Sequence, residues 1–277
     1  MNPHPKDMHR QARVIERQRG LREASAVQLR VVSALMIREA LTRYGHENLG
    51  FFWIMGEPLV LTVAVMFMVS MTGTGHSQQL GIIPFVLTGY SMLTLWRHCV
   101  FRSIHAMRHN VGLLFHRNVR YLDILISRIA LESLGGLAAF FVAYVPLSLL
   151  GVFEPMDDPL LLLGAWFLMT WYGFGFGLIL AGITEIWEAT ERFVSPMMYI
   201  SIPITGAFFM VNWLPDTAQK LVQWSVLVHL FEMFRAGFFG PKVTTYWDLG
   251  FILAHCLTVT AIGLPLVRKA QQRVSMG

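Results

Sequence analysis

Apolar residues in this chain fall in long blocks separated by short polar stretches. Gly50–Met71, Gly81–Trp96, Ile124–Leu150, Leu160–Ile183, Phe193–Val211 and Trp247–Val267 each approach the ~20 residues that a helix needs to cross a bilayer. The pattern predicts an all-α polytopic membrane protein with six transmembrane helices. A seventh apolar stretch, Trp224–Gly240, is short, carries His229, Glu232 and Arg235, and contains Gly237 and Gly240 near its end. As a full span it would place the basic tail outside. The preferred reading is a re-entrant helical segment within 213–243, before the last span, because irregular backbone at membrane depth is tolerated where protein or water covers it.

A basic, partly amphipathic segment leads into the first span. Val27, Val31, Ala34 and Leu41 share one helical face, with Leu35 at its edge and Arg38 in its middle, which predicts an N-terminal interfacial helix over 27–48. Two roles suit Arg38: snorkelling to headgroups, or, with Arg43, meeting an anionic group that reaches the protein from the inner leaflet. The first span contains Glu57-Pro58. A charge near mid-bilayer costs roughly 2.5–3.5 kcal/mol on insertion scales, so such a group faces protein or a water-filled path. A polar interior feature points to the movement of something polar. After the second span, Ile104, Met107, Val111 and Leu114 form a narrow apolar stripe, with His105, Arg108, His109, His116 and Arg117 on other faces. A short helix over 103–120 would rest on the membrane surface or fill a partner's groove. Gly112 weakens it as an isolated helix. The histidines of this loop come without cysteines or a carboxylate cluster, so no metal site is expected.

Charge orients the spans. Of the 22 Lys and Arg residues, nine (Lys6, Arg10, Arg13, Arg17, Arg19, Arg22, Arg30, Arg38, Arg43) precede the first span, whereas 72–80 and 151–159 contain none. The positive-inside rule therefore puts both termini and the 97–120 loop in the cytoplasm. The basic balance marks membrane borders, not a nucleic-acid partner. The domain reading is a basic tail over 1–26, one transmembrane domain over 27–267 and a cytoplasmic tail over 268–277. The first 25 residues lack an apolar core, so no cleavable signal peptide is expected. Cys99 and Cys256 read as inert core thiols.

The sequence contains no G-x-x-x-x-G-K-[ST], G-x-S-x-G, H-E-x-x-H or C-x-x-C motif. The expectation is a transport subunit, with no catalytic residues, no metal and no cofactor in this chain. Gly173 and Gly177 lie inside an apolar span and are expected to bring helices close. Arg128 and Glu132, one turn apart, can pair in place. The only adjacent acids, Asp157 and Asp158, lie on the predicted outside, which argues against a membrane-embedded glycan synthase. Ionisable residues sit mostly at span ends, which argues against an ion-coupled carrier or channel acting alone. No halves repeat, which argues against an inverted-repeat transporter.

Three stretches resemble the inner-membrane permease family of capsular polysaccharide export, within the ABC-2 transporter superfamily. IREALTRYGHENLGFFWIMGEP, residues 37–58, is similar to that family's R-x-x-x-x-R-[YF]-G, L-G-x-x-W and E-P pattern. NVGLLFHRNVRYLDILISRIALE, residues 110–132, is similar to its cytoplasmic loop leading into the third span. LVHLFEMFRAGFFG, residues 227–240, is similar to its "NPLVH…E…R" motif, with Ser225-Val226 in place of Asn-Pro.

The resemblance implies a homodimer in the bacterial inner membrane, served by two copies of a cytosolic ABC ATPase that bind ATP and Mg. It implies a lipid-linked polysaccharide cargo, a periplasmic polysaccharide co-polymerase and an outer-membrane exporter. The 103–120 loop corresponds to the coupling helix, with His109, Asn110, Leu113, Leu114 and Arg117 as its contact residues. Arg38, Arg43, Arg97 and Arg102 at the cytoplasmic border suit a phosphate on the lipid linker. Aromatic side chains can cover the flat apolar faces of sugars, and Trp53, Tyr172, Phe208 and Phe209 are the candidates for a channel lining. Trp and Tyr also crowd membrane interfaces for reasons of partitioning. Glu57, His229, Glu232 and Arg235 are candidates for the channel or gate. The alternative for Glu232 and Arg235 is a buried pair that holds the re-entrant turn. The rival cargoes are O-antigen, teichoic acid, a lipo-oligosaccharide or a drug.

Overall fold

The computed structural model describes residues 25–42, 81–104, 120–152 and 155–274, with the single positions 60, 67 and 106. Trp53, Glu57 and Arg43 lie outside the described residues, as do His109, Asn110, Leu113, Leu114 and Arg117. Among the described residues the secondary structure is helical, without a strand. The helices are α1 over 25–42, α2 Ile82–Ser103, α3 Tyr121–Leu149, α4 Pro159–Ile186, α5 Glu191–Ser201, α6 Asp216–Val222, α7 Val226–Phe239 and α8 Leu249–Val274. Three are both long and apolar enough to cross a membrane: α3, α4 and the stretch Leu249–Gln272 of α8.

Local chemistry sets where these helices begin. Asp158 caps α4 by accepting the N–H groups of Leu160 and Leu161 at 3.0 Å each, and Pro159 follows it at the first helical position. The Asp123 carboxylate of α3 reaches back to the N–H of Arg120 at 2.9 Å. Asp248, just before α8, accepts the N–H of Phe251 three residues ahead at 3.0 Å. At 1.5 Å per residue, the 28 residues of α4 make a rod of about 42 Å.

α4 is the hub, lying against α8, α2 and α7. Its glycines make two close seams. A Cβ on Gly173 would sit 2.8 Å from Cys99 Cβ, and one on Gly177 would meet Ser103, both on α2. On another side, a Cβ on Gly175 would lie 2.5 Å from Val259 Cγ2, and one on Gly182 would lie 2.7 Å from Leu266 Cβ, both on α8. The close packing expected at Gly173 and Gly177 is thus present, and α8 adds a second seam. Small residues of this kind let backbones approach where lipid offers no hydrophobic drive. An aromatic cluster fills the space between α3, α4 and α7. The Phe140 ring lies 5.5 Å from Phe234, 6.3 Å from Phe238 and 6.4 Å from Trp166.

The apolar run Phe193–Val211 is not one helix. Its α-helical part, α5, has 11 residues and is followed by a 3-10 turn at Ile202–Ile204 and by Gly206 at φ +94°. Pro203 has no N–H to continue the ladder, and Gly206 takes a backbone conformation that other residues rarely adopt. The carbonyls freed at this break are claimed by α7.

Candidate functional site

α7 is 14 residues long, and every residue in it but Ala236 is buried. A helix that is buried on all sides has no solvent face for polar groups. Yet His229, Glu232 and Arg235 recur along it at intervals of three. Each polar head bonds to backbone of a neighbouring irregular segment, although Nε of Arg235 is buried without an acceptor among the described residues.

Arg235 is fully buried. Its Nη1 donates to the carbonyls of Gly206 at 2.8 Å and Phe209 at 2.6 Å, and its Nη2 donates to that of Ala207 at 2.6 Å. The guanidinium lies 4.3 Å from the Phe85 ring centroid. Gly89 on α2 makes this possible, because a Cβ there would collide with the Ala207 carbonyl oxygen. Glu232 divides its oxygens. Oε1 accepts the N–H of Val211 at 3.2 Å, and Oε2 accepts that of Tyr246 at 3.0 Å. His229 Nδ1 accepts the N–H of Asp248 at 3.0 Å, which leaves Nε2 to carry the proton and donate to the Gln223 carbonyl at 2.8 Å. The three residues hold the turn through its backbone. They fix 206–211 on one side of α7 and 246–248 on another.

The ends of α7 are tied to the same rim of the bundle. The N–H of Asp158, just before α4, donates to Gly237 at 2.8 Å, and Asp157 donates to Phe238 at 3.3 Å. A Cβ on Gly237 would press on Leu162 N at 2.6 Å. His229, near the other end, meets Asp248 just before α8.

A second polar cluster joins α1, α2 and α3. Glu132 is buried and accepts from Arg102 at 2.9 Å and His98 at 3.1 Å. Arg128 meets Glu39 of α1 at 3.1 Å, and Gln28 of α1 donates to Asp123. Arg128 and Glu132 therefore each reach another helix, beyond the in-place pairing that their spacing suggested. α1 turns Gln28, Val31, Leu35 and Glu39 inward, while Val27, Ala34, Ile37, Arg38 and Leu41 are exposed. An apolar outer face with Arg38 on it is what a helix lying in a lipid interface requires.

The remaining sequence candidates are spread out. Tyr172 is half-buried and stacks with Phe176 at 6.1 Å. Phe208 is exposed, and Phe209 contributes its carbonyl to Arg235. Arg97 stacks 4.7 Å from the Tyr199 centroid. Sequence reasoning missed Phe85 and Gly89 as the seat of Arg235, His98 as a partner of Glu132, and Tyr199. The lone glycine inside the second apolar block was the available signal for the first of these.

Comparison with known proteins bears on what this arrangement serves. Residues 30–239 match the model of the ABC-2 type transporter family. The chain is 37% identical over 253 residues to the capsule polysaccharide export inner-membrane protein BexB of Haemophilus influenzae, covering 91% of this chain and 96% of that one. It is 36% identical over 252 residues to CtrC of Neisseria meningitidis serogroup B, which has the same description, covering 91% and 95%. It is 24% identical over 251 residues to the polysialic acid transport protein KpsM of Escherichia coli, covering 91% and 97%. With the family model matching most of its length, the chain belongs to the ABC-2 type transporter family.

Proposed function

We propose that this chain is the membrane-spanning permease subunit of an ATP-driven exporter that moves lipid-linked capsular polysaccharide across the bacterial inner membrane. The observation that carries the reading is similarity over nearly the whole of both chains to proteins described as capsule polysaccharide export inner-membrane proteins. The chain acts as a homodimer and has no catalytic site of its own. ATP and Mg are bound by two copies of a cytosolic ATPase, which dock on the loop carrying His109, Asn110, Leu113, Leu114 and Arg117. A periplasmic co-polymerase and an outer-membrane exporter continue the path.

The topology we infer has six crossings, a re-entrant α7 and both termini in the cytoplasm. Two observations favour the re-entrant reading. The 14 residues of α7 reach only about 21 Å, short of the ~30 Å hydrocarbon core, whereas the 11-residue α5 is prolonged by the turn at Ile202–Ile204 and the chain on to Val211. Its two ends are bonded to the residues that precede α4 and α8, and both helices start on the outer side in this topology. Cysteine labelling tests it. Asp157→Cys should react from outside, and a cysteine at Met276 from inside; reaction at Met276 from outside alone means seven crossings.

Deleting the gene in its host tests the function. Full-length, lipid-terminated glycan accumulating in the cytoplasm below a bare cell surface is the expected result. Glycan absent from every fraction would point to synthesis instead, and an unchanged surface to another cargo. Replacing Leu114 and Arg117 together should abolish co-purification of the ATPase while membrane insertion persists.

A further inference from the structure

The short helix α6 is fastened at both ends to one rim of the bundle. Before it, the Trp213 ring lies 4.8 Å from that of Phe85, in the first turn of α2. Within it, Gln219 Nε2 donates to the Leu214 carbonyl at 2.8 Å. After it, the Gln223 carbonyl accepts from His229 Nε2, and the other ring nitrogen of His229 takes the N–H of Asp248. Gln223 and Asp248 are thus one imidazole apart. The opposite face of α6, with the turn that follows, is open. Asp216, Thr217, Lys220, Leu221 and Trp224 are exposed there, Leu221 at 70% and Trp224 at 81%. Tyr246 and Leu249, on either side of Asp248, are exposed as well.

α8 supplies the depth scale. Its apolar stretch from Leu249 to Val267 is about 28 Å long, close to the ~30 Å hydrocarbon core, and the exposed Arg268 and Lys269 follow it. With that basic pair at the inner border, Leu249 stands at the outer one. Trp224, next to Gln223, stands at the same level. An indole belongs at that depth, since its apolar body leaves water while its N–H keeps polar company. The open face is graded to match. Asp216 and Thr217 begin it, Lys220 follows, and Leu221 and Trp224 end it. The stem of Lys220 is long enough to keep the ammonium in water. A protein partner would need a wider patch. The exposed apolar side chains around His229 are Leu221, Trp224, Tyr246 and Leu249, whereas a stable protein interface uses about 20–30 residues a side.

We propose that the open face of α6, with Leu221 and Trp224 as its apolar end, is an anchor seated in the outer-leaflet interface of the bilayer. Through the Gln223 carbonyl that His229 holds, the anchor sets the height at which α7 begins. The assignment to the outer leaflet rests on the six-crossing topology proposed above; the contact with lipid does not.

The test uses the purified full-length chain in phosphatidylcholine nanodiscs, with a nitrobenzoxadiazole fluorophore on Trp224→Cys. Cys99 and Cys256 are buried and stay unlabelled. A lipid nitroxide near the headgroup should quench this label more strongly than one at the end of the acyl chain. Iodide in the water should quench it about threefold less than the same fluorophore on Asp216→Cys. Leu221→Cys is the second variant and should behave as Trp224→Cys does. Equal iodide quenching at Trp224→Cys and Asp216→Cys leaves the rim in water and overturns the anchor. Quenching by neither lipid nitroxide nor iodide puts a second copy of the chain over the face and overturns it too. In sealed right-side-out vesicles, dithionite added outside should bleach the label. A label that lipid nitroxides reach and dithionite does not overturns the outer-leaflet assignment together with the six-crossing topology. The exporter reading is decided separately, by where glycan accumulates when the gene is deleted.

Discussion

Replacing Arg235 with methionine removes a guanidinium from a fully buried position while keeping a long apolar stem there. Three carbonyls, those of Gly206, Ala207 and Phe209, lose their donor. A hydrogen bond to a charged group is worth about 1.5–3 kcal/mol, so the gross loss is about 4.5–9 kcal/mol. Opposing it is relief of the desolvation of the guanidinium, several kcal/mol for a buried ion. The expected net cost is about 3–5 kcal/mol, the range found when one partner of a buried charged contact is removed. It is measured by unfolding the purified full-length chain in mixed micelles of increasing SDS content.

The seat of Arg235 supplies a sharper condition. A Cβ at Gly89 would collide with the Ala207 carbonyl oxygen and stand 3.0 Å from Arg235 Nη2. Gly89→Ala alone should therefore push that carbonyl off the guanidinium and cost about 1–3 kcal/mol, as overpacking does. With Arg235→Met already present, the same methyl group displaces a carbonyl that has no donor left. The double variant should then cost less than the sum of the two single variants by about 1–2 kcal/mol. Additivity within about 0.5 kcal/mol, or a cost for Arg235→Met below about 1 kcal/mol, would refute the clamp.

The same clamp predicts that a cysteine at the buried Ala207 is silent to a water-soluble maleimide in the parent chain and reacts when Arg235→Met is added; equal labelling of both places 206–211 under other control. Gly177→Ala should lower stability by about 1–3 kcal/mol by driving α4 off Ser103. Ser103→Gly in the same chain should restore part of the loss, and no recovery in thermal unfolding would mean that the seam lies elsewhere. Arg102→Met should destabilise more than Glu132→Gln. The first leaves a carboxylate that is 8% exposed one partner short, whereas the second leaves an Arg102 that is 41% exposed and able to reach water. The expected costs are about 1–3 kcal/mol and under about 1 kcal/mol, and a reversed order by the same unfolding assay would count against the cluster as described.

Hydropathy located the long helices because burial in lipid asks only for length and apolar content. α3 and α4 begin within three residues of the sequence limits Ile124 and Leu160. Their ends were less legible. α2 continues from Trp96 through Arg97, His98 and Arg102 to Ser103, and α8 continues past Val267 to Val274, since a helix does not stop when it leaves the apolar layer. The break after α5 was invisible to an apolar count, which scores Pro203 and Gly206 as interruptions too small to matter. What decides it is the position of Arg235, some thirty residues on, with donors for the carbonyls that a helix would otherwise have used. Spacing along one helix also gave only part of the surroundings of Arg128 and Glu132. Four residues apart, they suggest each other, but α1 and α2 flank α3 and offer Glu39, His98 and Arg102 as further partners.

The two buried-side arginines show how a charge inside an apolar helix is to be read. The sequence places Arg97 just past an apolar block and Arg235 inside one. The difference lies in acceptor accounting. Arg235 spends three N–H groups on the carbonyls of Gly206, Ala207 and Phe209, so its charge is consumed in holding a turn. Arg97 lies beside the Tyr199 and Phe101 rings, and the Nε of each arginine is buried without an acceptor among the described residues. A buried donor that the fold does not satisfy carries a standing penalty. That penalty falls on Nε of both arginines, so what separates them is the three carbonyls that Arg235 alone holds.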